Sequence, residues 1–418
     1  MHSALRALRH RNFRIFYLGQ GLSLLGTWLQ TVATSWLVYR LTGSALMLGL
    51  VAGAQQLPIL FVSPLAGVWA DRLDRRRLLV VIQLLCAAQA IALAALTFAG
   101  VVTVWHVTAF ALLLGLLNAV ETPTRQAFLL DMVGSREDLP NAIALQSMLF
   151  NGARFVGPSI AGVVLAAAGE ATCFLLNGIS YLAVVAAYWV IRVAPRAAAA
   201  ARAAWWRELH AGFRYAFGSL ATRRLIFLLA ALSCFSAPWM SLMPIYAAET
   251  FHGDSRTLGV MVSAVGLGAL AGTAFLAARP SVRGLGRVIA TCALLAGAAL
   301  AAYALSRWLW FSLGALAVFG FGLIASVASA NTVLQTLADE DKRGRVISIY
   351  VMTFLGIAPL GNFAAGVVAE RIGVHWTLAG CGAFLLAAAA WFAFSLATWR
   401  DAVRPLYARR GIGTGREA

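Results

Sequence analysis

The sequence predicts an all-α membrane protein of twelve transmembrane helices, arranged as two pseudo-symmetric six-helix bundles, and three observations lead there. Of the 418 residues, 61% are hydrophobic and only 12% are charged, whereas an ordinary soluble domain carries about 25% charged residues. The apolar residues come in blocks of roughly twenty, the length at which a helix crosses a ~30 Å hydrocarbon layer. Basic residues crowd the loops on one side of these blocks, and the second half of the chain repeats the spacing of the first.

Taken in order, spans fall near 13–38, 46–68, 77–100, 104–126, 143–168 and 171–193, making an N-terminal bundle over 1–193. A second set near 224–248, 257–278, 284–305, 308–330, 346–369 and 375–397 makes a C-terminal bundle over 224–397. Between them, 194–223 reads as a cytoplasmic linker: an Ala-rich run is followed by Trp205, Trp206, Arg207, Phe213, Arg214 and Phe217, the pattern of an amphipathic helix lying on the membrane surface. Residues 398–418 read as a basic cytoplasmic tail. The basic N-terminus runs into the first apolar block without a small-residue cleavage site, so it reads as a retained helix and not a removed signal peptide.

A net charge of +17 raises nucleic acid as a partner. The charges sit between the apolar blocks, and no groove of interleaved basic and aromatic residues accompanies them, which argues against that partner. With both termini placed inside, 28 basic residues fall on the cytoplasmic side, and only Arg40, Arg256, Arg307 and Arg371 fall outside. That asymmetry predicts a multi-pass protein of a bacterial-type inner membrane with both ends in the cytoplasm. Its expected partners are the lipid bilayer and a small-molecule substrate, and it is expected to act as a monomer.

An internal repeat supports the division into halves. At an offset of 204, Gly152, Gly157, Gly162 and Gly169 fall on Gly356, Gly361, Gly366 and Gly373; at an offset of 210, Gly43, Leu48 and Gly49 fall on Gly253, Leu258 and Gly259. Duplicated halves are the usual construction of a rocking carrier. Cys86, Cys173, Cys234, Cys292 and Cys381 are single and widely spaced within spans, so they read as small apolar core residues. No metal is expected.

Catalytic signatures are missing. Lys342 is the one lysine, and no G-x-x-x-x-G-K phosphate loop can be written around it. No histidine begins an H-E-x-x-H, and no G-x-S-x-G elbow occurs, so the chain is not expected to be an enzyme.

The segment Gly67-Val68-Trp69-Ala70-Asp71-Arg72-Leu73-Asp74-Arg75-Arg76-Arg77 joins the second and third spans. It resembles the major facilitator superfamily, whose loop between helices 2 and 3 reads G-x-x-x-D-R-x-G-R-R. Asp74 replaces the second glycine, as in the branch that includes siderophore and macrolide exporters. The resemblance implies a gating latch made by Gly67, Asp71, Arg72, Arg75 and Arg76; a basic loop that only sets topology is the alternative. In the fifth span, Gly152, Gly157, Pro158 and Gly162 resemble the G-P-x-x-G-G pattern of drug/proton antiporters, where that helix packs on helix 8 and helps seal the cytoplasm-facing state. Generic small-residue packing is the competing reading.

Arg154 falls near the middle of the fifth span, where a charge costs at least ~2.5 kcal/mol and by default faces a wet cavity or a partner. Its expected role is to meet an anionic substrate group or to hold a coupling carboxylate; a structural ion pair is the rival. Glu121 is the candidate carboxylate. Burial and a neighbouring arginine pull on its proton in opposite directions, so its protonation can respond to which side a cavity faces. Alternatively, Glu121 simply pairs with Arg125 one turn on. Amides are scattered through the spans at Gln20, Gln30, Gln55, Gln56, Gln89, Asn118, Asn151, Asn177, Asn331, Gln335 and Asn362, and many are expected to line a polar cavity, with Gln30, Gln55, Gln56, Asn118, Asn151 and Asn331 the leading candidates; interhelical hydrogen bonding is the alternative. Trp28, Trp36, Trp239 and Tyr246 are candidates to stack on a planar substrate, against the commoner role of interfacial anchor.

Together these readings imply a secondary active transporter that exports a siderophore, macrolide or other drug by alternating access. A proton gradient would drive it, and no cofactor is expected. A lysophospholipid flippase of the same superfamily and a non-transporting sensor or anchor are the alternatives.

Overall fold

The computed structural model describes residues 5–135, 137–193, 218–279, 281–338 and 343–408. The side chains of 63–72, 343–345, 347–348, 405–406 and 408 lie outside that description, as does nearly all of the 194–223 linker with its expected surface helix.

After a 3-10 turn at Arg6–Arg9 come α1 (Arg11–Thr42), α2 (Ala45–Arg72), α3 (Arg75–Phe98) and α4 (Val104–Val133). The run Leu139–Val190 is continuous by hydrogen bonding but breaks at Gly169, whose φ of 77° and ψ of 174° no helix tolerates. It therefore forms two helices, α5 (139–168) and α6 (170–190). The second half contains α7 (Leu220–Thr250, ending in a π-turn at Tyr246–Thr250), α8 (Ser255–Ala277), α9 (Leu285–Leu305), α10 (Leu309–Leu337), α11 (Arg343–Ile372) and α12 (Val374–Phe394). A final α13, Leu396–Ala408, follows.

Among the described residues, ten helical runs are long and apolar enough to cross a membrane. Dividing Leu139–Val190 at Gly169 and adding α1 completes the expected twelve. Length and composition alone do not select α1, because Gln20, Gln30, Thr27, Thr31 and Thr34 dilute its apolar character.

The burial pattern inverts that of a water-soluble protein. Leu22, Phe61, Val81, Leu84, Val163 and Phe384 are exposed, while Gln20, Gln30, Gln83, Gln89, Glu121, Arg125 and Asn177 are buried. Lipid is as apolar as leucine, so exposing such side chains costs nothing, whereas polar groups must find partners inside. Exposed Trp105, Trp189, Trp308, Trp310 and Trp376 sit at helix ends, where indoles settle at the membrane interface.

The chain forms two compact units. The first comprises Met1–Arg202 with Ser241–Gly266, and the second Ala203–Met240 with Leu267–Ala418. In the first, α1 and α3 pack along the α5–α6 run and α2 packs on α4; in the second, α9 packs on α10 and α12, and α11 on α7. Gly373, with φ of 85°, breaks the chain between α11 and α12 as Gly169 does between α5 and α6, so the repeated glycines occupy the same structural position.

Residues 398–408, the first part of the basic C-terminal stretch, belong to α13, with Trp399 and Val403 buried and Trp399 Nε1 donating to the Ala221 carbonyl at 3.0 Å. The apolar spacing of Leu396, Trp399 and Val403 gives this short helix one greasy side, which docks on the second unit.

A polar clasp ties down the N-terminal end. Arg6 pairs with Asp138, His10 Nε2 lies 2.7 Å from Asp138 Oδ2, and the Ala7 N–H donates to Asn141 Oδ1 at 2.8 Å. The hydrogen bond from His10, joined by the charge of Arg6, holds the Asp138 carboxyl below the usual carboxylate range. A depressed folded-state pKa gives stabilisation that is present above the unfolded value, ~3.9, and is lost as pH falls through the folded one. Hydrogen exchange at residues 5–10 is therefore expected to quicken in Asp138→Asn at neutral pH. In the wild-type protein the protection factor, corrected for the intrinsic pH dependence of exchange, should fall only once the pH drops below about 4; equal protection in both proteins at pH 7 would refute the clasp.

Candidate functional site

The gating segment is described in part. Gly67, Asp71 and Arg72 belong to the stretch whose side chains lie outside the description. Asp74, which departs from the family's glycine, is the N-cap of α3: its Oδ1 accepts from the Arg77 N–H at 3.1 Å, satisfying one of the donors a helix start leaves unmet. Arg75 reaches α4, donating to Asp131 Oδ2 at 3.1 Å and to the Ala127 carbonyl at 3.2 Å. Arg76 donates to the Tyr188 and Trp189 carbonyls at 2.7 Å each, where α6 ends and its last carbonyls lack helical partners. These two arginines thus bond within the first unit.

The glycines of α5 have separable tasks. A Cβ on Gly157 would fall 2.6 Å from the Trp28 ring, so α1 lies close against this point. A Cβ on Gly162 would meet the Ser255 carbonyl oxygen at 2.6 Å and the Gly259 Cα at 3.1 Å, and Gly259 in turn faces the Pro158 carbonyl. Ser159 Oγ donates to Ser263 Oγ at 2.8 Å, and Ser255 Oγ to the Gly162 carbonyl at 3.3 Å. Pro158 has no N–H to give to the Arg154 carbonyl one turn back, and that oxygen lies where a Cβ on Gly266 would come within 2.5 Å. The α5–α8 contact implied by the resemblance is therefore present, made backbone to backbone. Nothing approaches Gly152 within 4 Å.

Arg154 and Glu121 are not brought together. Arg154 sits midway along α5 with its side chain exposed, and no acid pairs with it among the described residues. Glu121 instead accepts from Arg125 Nε at 2.8 Å, one turn along α4; the residues are 8% and 6% exposed. The Arg125 guanidinium also lies 4.9 Å from the centre of the Phe150 ring, a cation–π contact that supplements the single carboxylate. Helical i,i+4 geometry places the pair on one face of α4.

Beside this pair is a network of amides. Gln30 Nε2 donates to Gln89 Oε1 at 3.2 Å, Asn177 Nδ2 to Gln30 Oε1 at 2.6 Å, and Ser180 Oγ to Asn177 Oδ1 at 3.1 Å. Gly26 permits it, because a Cβ there would collide with Ser180 Oγ at 2.2 Å. Gln30, Gln55, Gln89, Asn118 and Asn177 line a small polar recess together with Thr27, Thr31, Thr34 and Tyr181.

The other amides stand elsewhere. Gln56 is not part of that lining, and Asn151 donates to the Ser147 carbonyl of its own helix at 2.9 Å. Asn331 accepts from Gln335 at 3.1 Å on α10. This i,i+4 pair lies 210 residues downstream of Glu121 and Arg125, at the second repeat offset, so it holds the same spacing without charge. Of the candidate stacking aromatics, Tyr246 is fully buried, Trp28 is packed on Gly157, and Trp36 and Trp239 rest against Tyr39 and Phe319.

Gln89 and Asn177 belong to the wider set of span amides, whereas sequence reasoning did not assign Tyr181 or the α1 threonines to this site. The signal for the threonines was there: positions 27, 30, 31 and 34 trace one helical face in an otherwise apolar span.

The fold has close structural counterparts. A bacterial homologue of the human lysosomal transporter Spinster, crystallised inward-facing and unoccupied, superposes with a TM-score of 0.72 over 94% of this chain and 98% of that one, at 15% identity. The fold is thus one that a membrane transporter adopts, with polar groups buried inside and apolar ones facing out. The family model described as transmembrane secretion effector, MFS_3, matches residues 2–407, and the chain belongs to that family. A staphyloferrin A transporter of Staphylococcus aureus is 26% identical over 88% of this chain and 92% of its own length. The multidrug efflux pump Tap of Mycolicibacterium fortuitum is 28% identical over 84% and 88%. The family and these relatives are transporters, not enzymes.

Two outcomes test the packing and the pair. Gly162→Ala is expected to lower the thermal midpoint in detergent, because the added methyl meets backbone that cannot swing aside; Gly152→Ala should hold or raise it, by the ~0.5–1 kcal/mol that separates glycine from alanine in a helix. Arg125→Leu strands a buried carboxylate and should cost about 3–5 kcal/mol, whereas Glu121→Leu/Arg125→Leu should recover most of that loss. A double variant no more stable than Arg125→Leu would show that the two residues do not act as a pair.

Proposed function

We propose that this transporter is a proton-coupled exporter of small molecules, working by alternating access as a monomer in a bacterial-type inner membrane with both termini in the cytoplasm. One observation carries the reading: Glu121, the single buried carboxylate among the described residues, is held against Arg125 inside a transmembrane helix. Protonating Glu121 leaves the arginine charge unbalanced where a lone charge is costly, so proton occupancy and the conformation around α4 become linked quantities. A carrier that exchanges a proton for cargo needs such a linkage. The proton gradient supplies the driving force.

The relatives bracket the cargo, since one is named for staphyloferrin A and another for multidrug efflux. A siderophore, macrolide or other drug is the substrate class proposed here. Arg154, exposed midway along α5, is assigned to meet an anionic group of the cargo, and the α5–α8 glycine contact to seal the cytoplasm-facing state.

Everted vesicles with an acid lumen are expected to accumulate ethidium or staphyloferrin A well above vesicles lacking the protein, and an uncoupler should abolish the difference. Glu121→Gln should fall to the background level. Accumulation indifferent to both the uncoupler and Glu121→Gln would overturn proton coupling through this residue.

A further inference from the structure

The interior of the first unit contains more polar atoms than the Glu121–Arg125 pair and the amide network use. The recess beside Gln89 has a volume of about 30 Å³. A water needs ~10–15 Å³, so there is room for about two waters. Its walls are amides, hydroxyls and aliphatic groups without a formal charge, which suits a neutral hydrogen-bonding occupant.

Gln89 supplies the second observation. It is 3% exposed; its Oε1 is taken by Gln30, but its Nε2 finds no acceptor among the described residues. A buried donor left unmet is costly, so the site suits an acceptor that these residues do not provide.

The unmet atoms continue beyond the recess. On α4, Leu114, Asn118, Glu121 and Arg125 follow one another at spacings of four, three and four, so a single helical face leads from the recess wall to the ion pair. Glu121 interacts electrostatically with Cys86 on α3 and with Tyr181 and Tyr188 on α6, as well as with Arg125 on its own helix. Near the end of α6, Tyr188 Oη, and in the first halves of α3 and α1, Gln83 Oε1 and Gln20 Oε1, are again buried without a hydrogen-bond partner among the described residues.

We propose that the recess and this trail form a hydrated proton path inside the first six-helix unit. Waters seated against Gln89 and Asn118 carry an excess proton to the Glu121 carboxylate. An O–H bond forms there as the hydronium O–H bond breaks, and the Arg125 charge remains. On release, the proton passes back to water, on the side where Tyr188, Gln20 and Gln83 offer hydrogen bonds. This inference rests on Glu121 being the coupling carboxylate.

The test uses the full chain in lipid nanodiscs, with Gln89→Leu and Asn118→Leu both prepared so that one misfolded variant does not decide the matter. X-ray radiolysis, which marks side chains beside internal water, should label Tyr181 in the wild-type protein far above Tyr303, a fully buried tyrosine of the second unit. Either substitution should cut the Tyr181 labelling at least threefold. Infrared spectroscopy should find a protonated-carboxyl band that Glu121→Gln removes. Its shift in heavy water should slow at least tenfold in both variants. Tyr181 labelled no more than Tyr303, or deuteration as fast in the variants as in the wild type, overturns the path while Glu121 coupling stands. Absence of any carboxyl band removed by Glu121→Gln overturns the coupling reading and the path with it.

Discussion

The 2.8 Å bond between Arg125 Nε and Glu121 Oε1 lies where neither hydrocarbon nor bulk water solvates the two charges, and much of the first unit is arranged around keeping it there. Neither partner can be removed singly without stranding the other. Phe150 covers the guanidinium, and Phe128 and Tyr188 lie edge to face in the first unit's core. The amides of α1, α3 and α6 extend this polar interior, and the outer surface is left to leucine, valine and phenylalanine.

How much of this could be read from residues alone depends on the distance along the chain over which each feature is made. The spans were legible because a helix crossing lipid must satisfy its own backbone, and that fixes a block length. The Glu121–Arg125 contact was legible, since four residues on a helix is one turn. Gln30, Gln89 and Asn177 are a different case: Gln30 bonds partners 59 and 147 residues away, and nothing in local spacing selects those two amides from the others scattered through the spans. Arg154 looked like the partner of Glu121 because both are charges within spans. Position along a span says nothing of the face a residue takes, and the faces differ. The α13 helix was passed over for a related reason, its basic content masking the spacing of Leu396, Trp399 and Val403.

The repeated glycines were seen as a pattern, and the structure gives them work. Gly157 lets α5 lie against Trp28 of α1, and Gly361, its counterpart 204 residues on, lets α11 lie against the Cys234 carbonyl of α7. Gly169 and Gly373 then turn each chain into the next helix with a backbone conformation reserved for glycine. The same device closes both bundles, so a substitution tolerated in one half is a guide to its equivalent in the other.

The neutral Asn331–Gln335 pair on α10 has an electrical consequence. Asparagine and glutamine keep the hydrogen bond of the charged pair but have no proton to take or give. Under the proposed coupling, the copy in α4 alone is loaded, one proton per cycle. Exporting an uncharged molecule then carries one positive charge inward, and membrane voltage adds ~2.3 kcal/mol per 100 mV to whatever the pH difference supplies. For a cargo bearing a single negative charge, that contribution would double; for a monovalent cation it would vanish, leaving the pH difference to do the pumping.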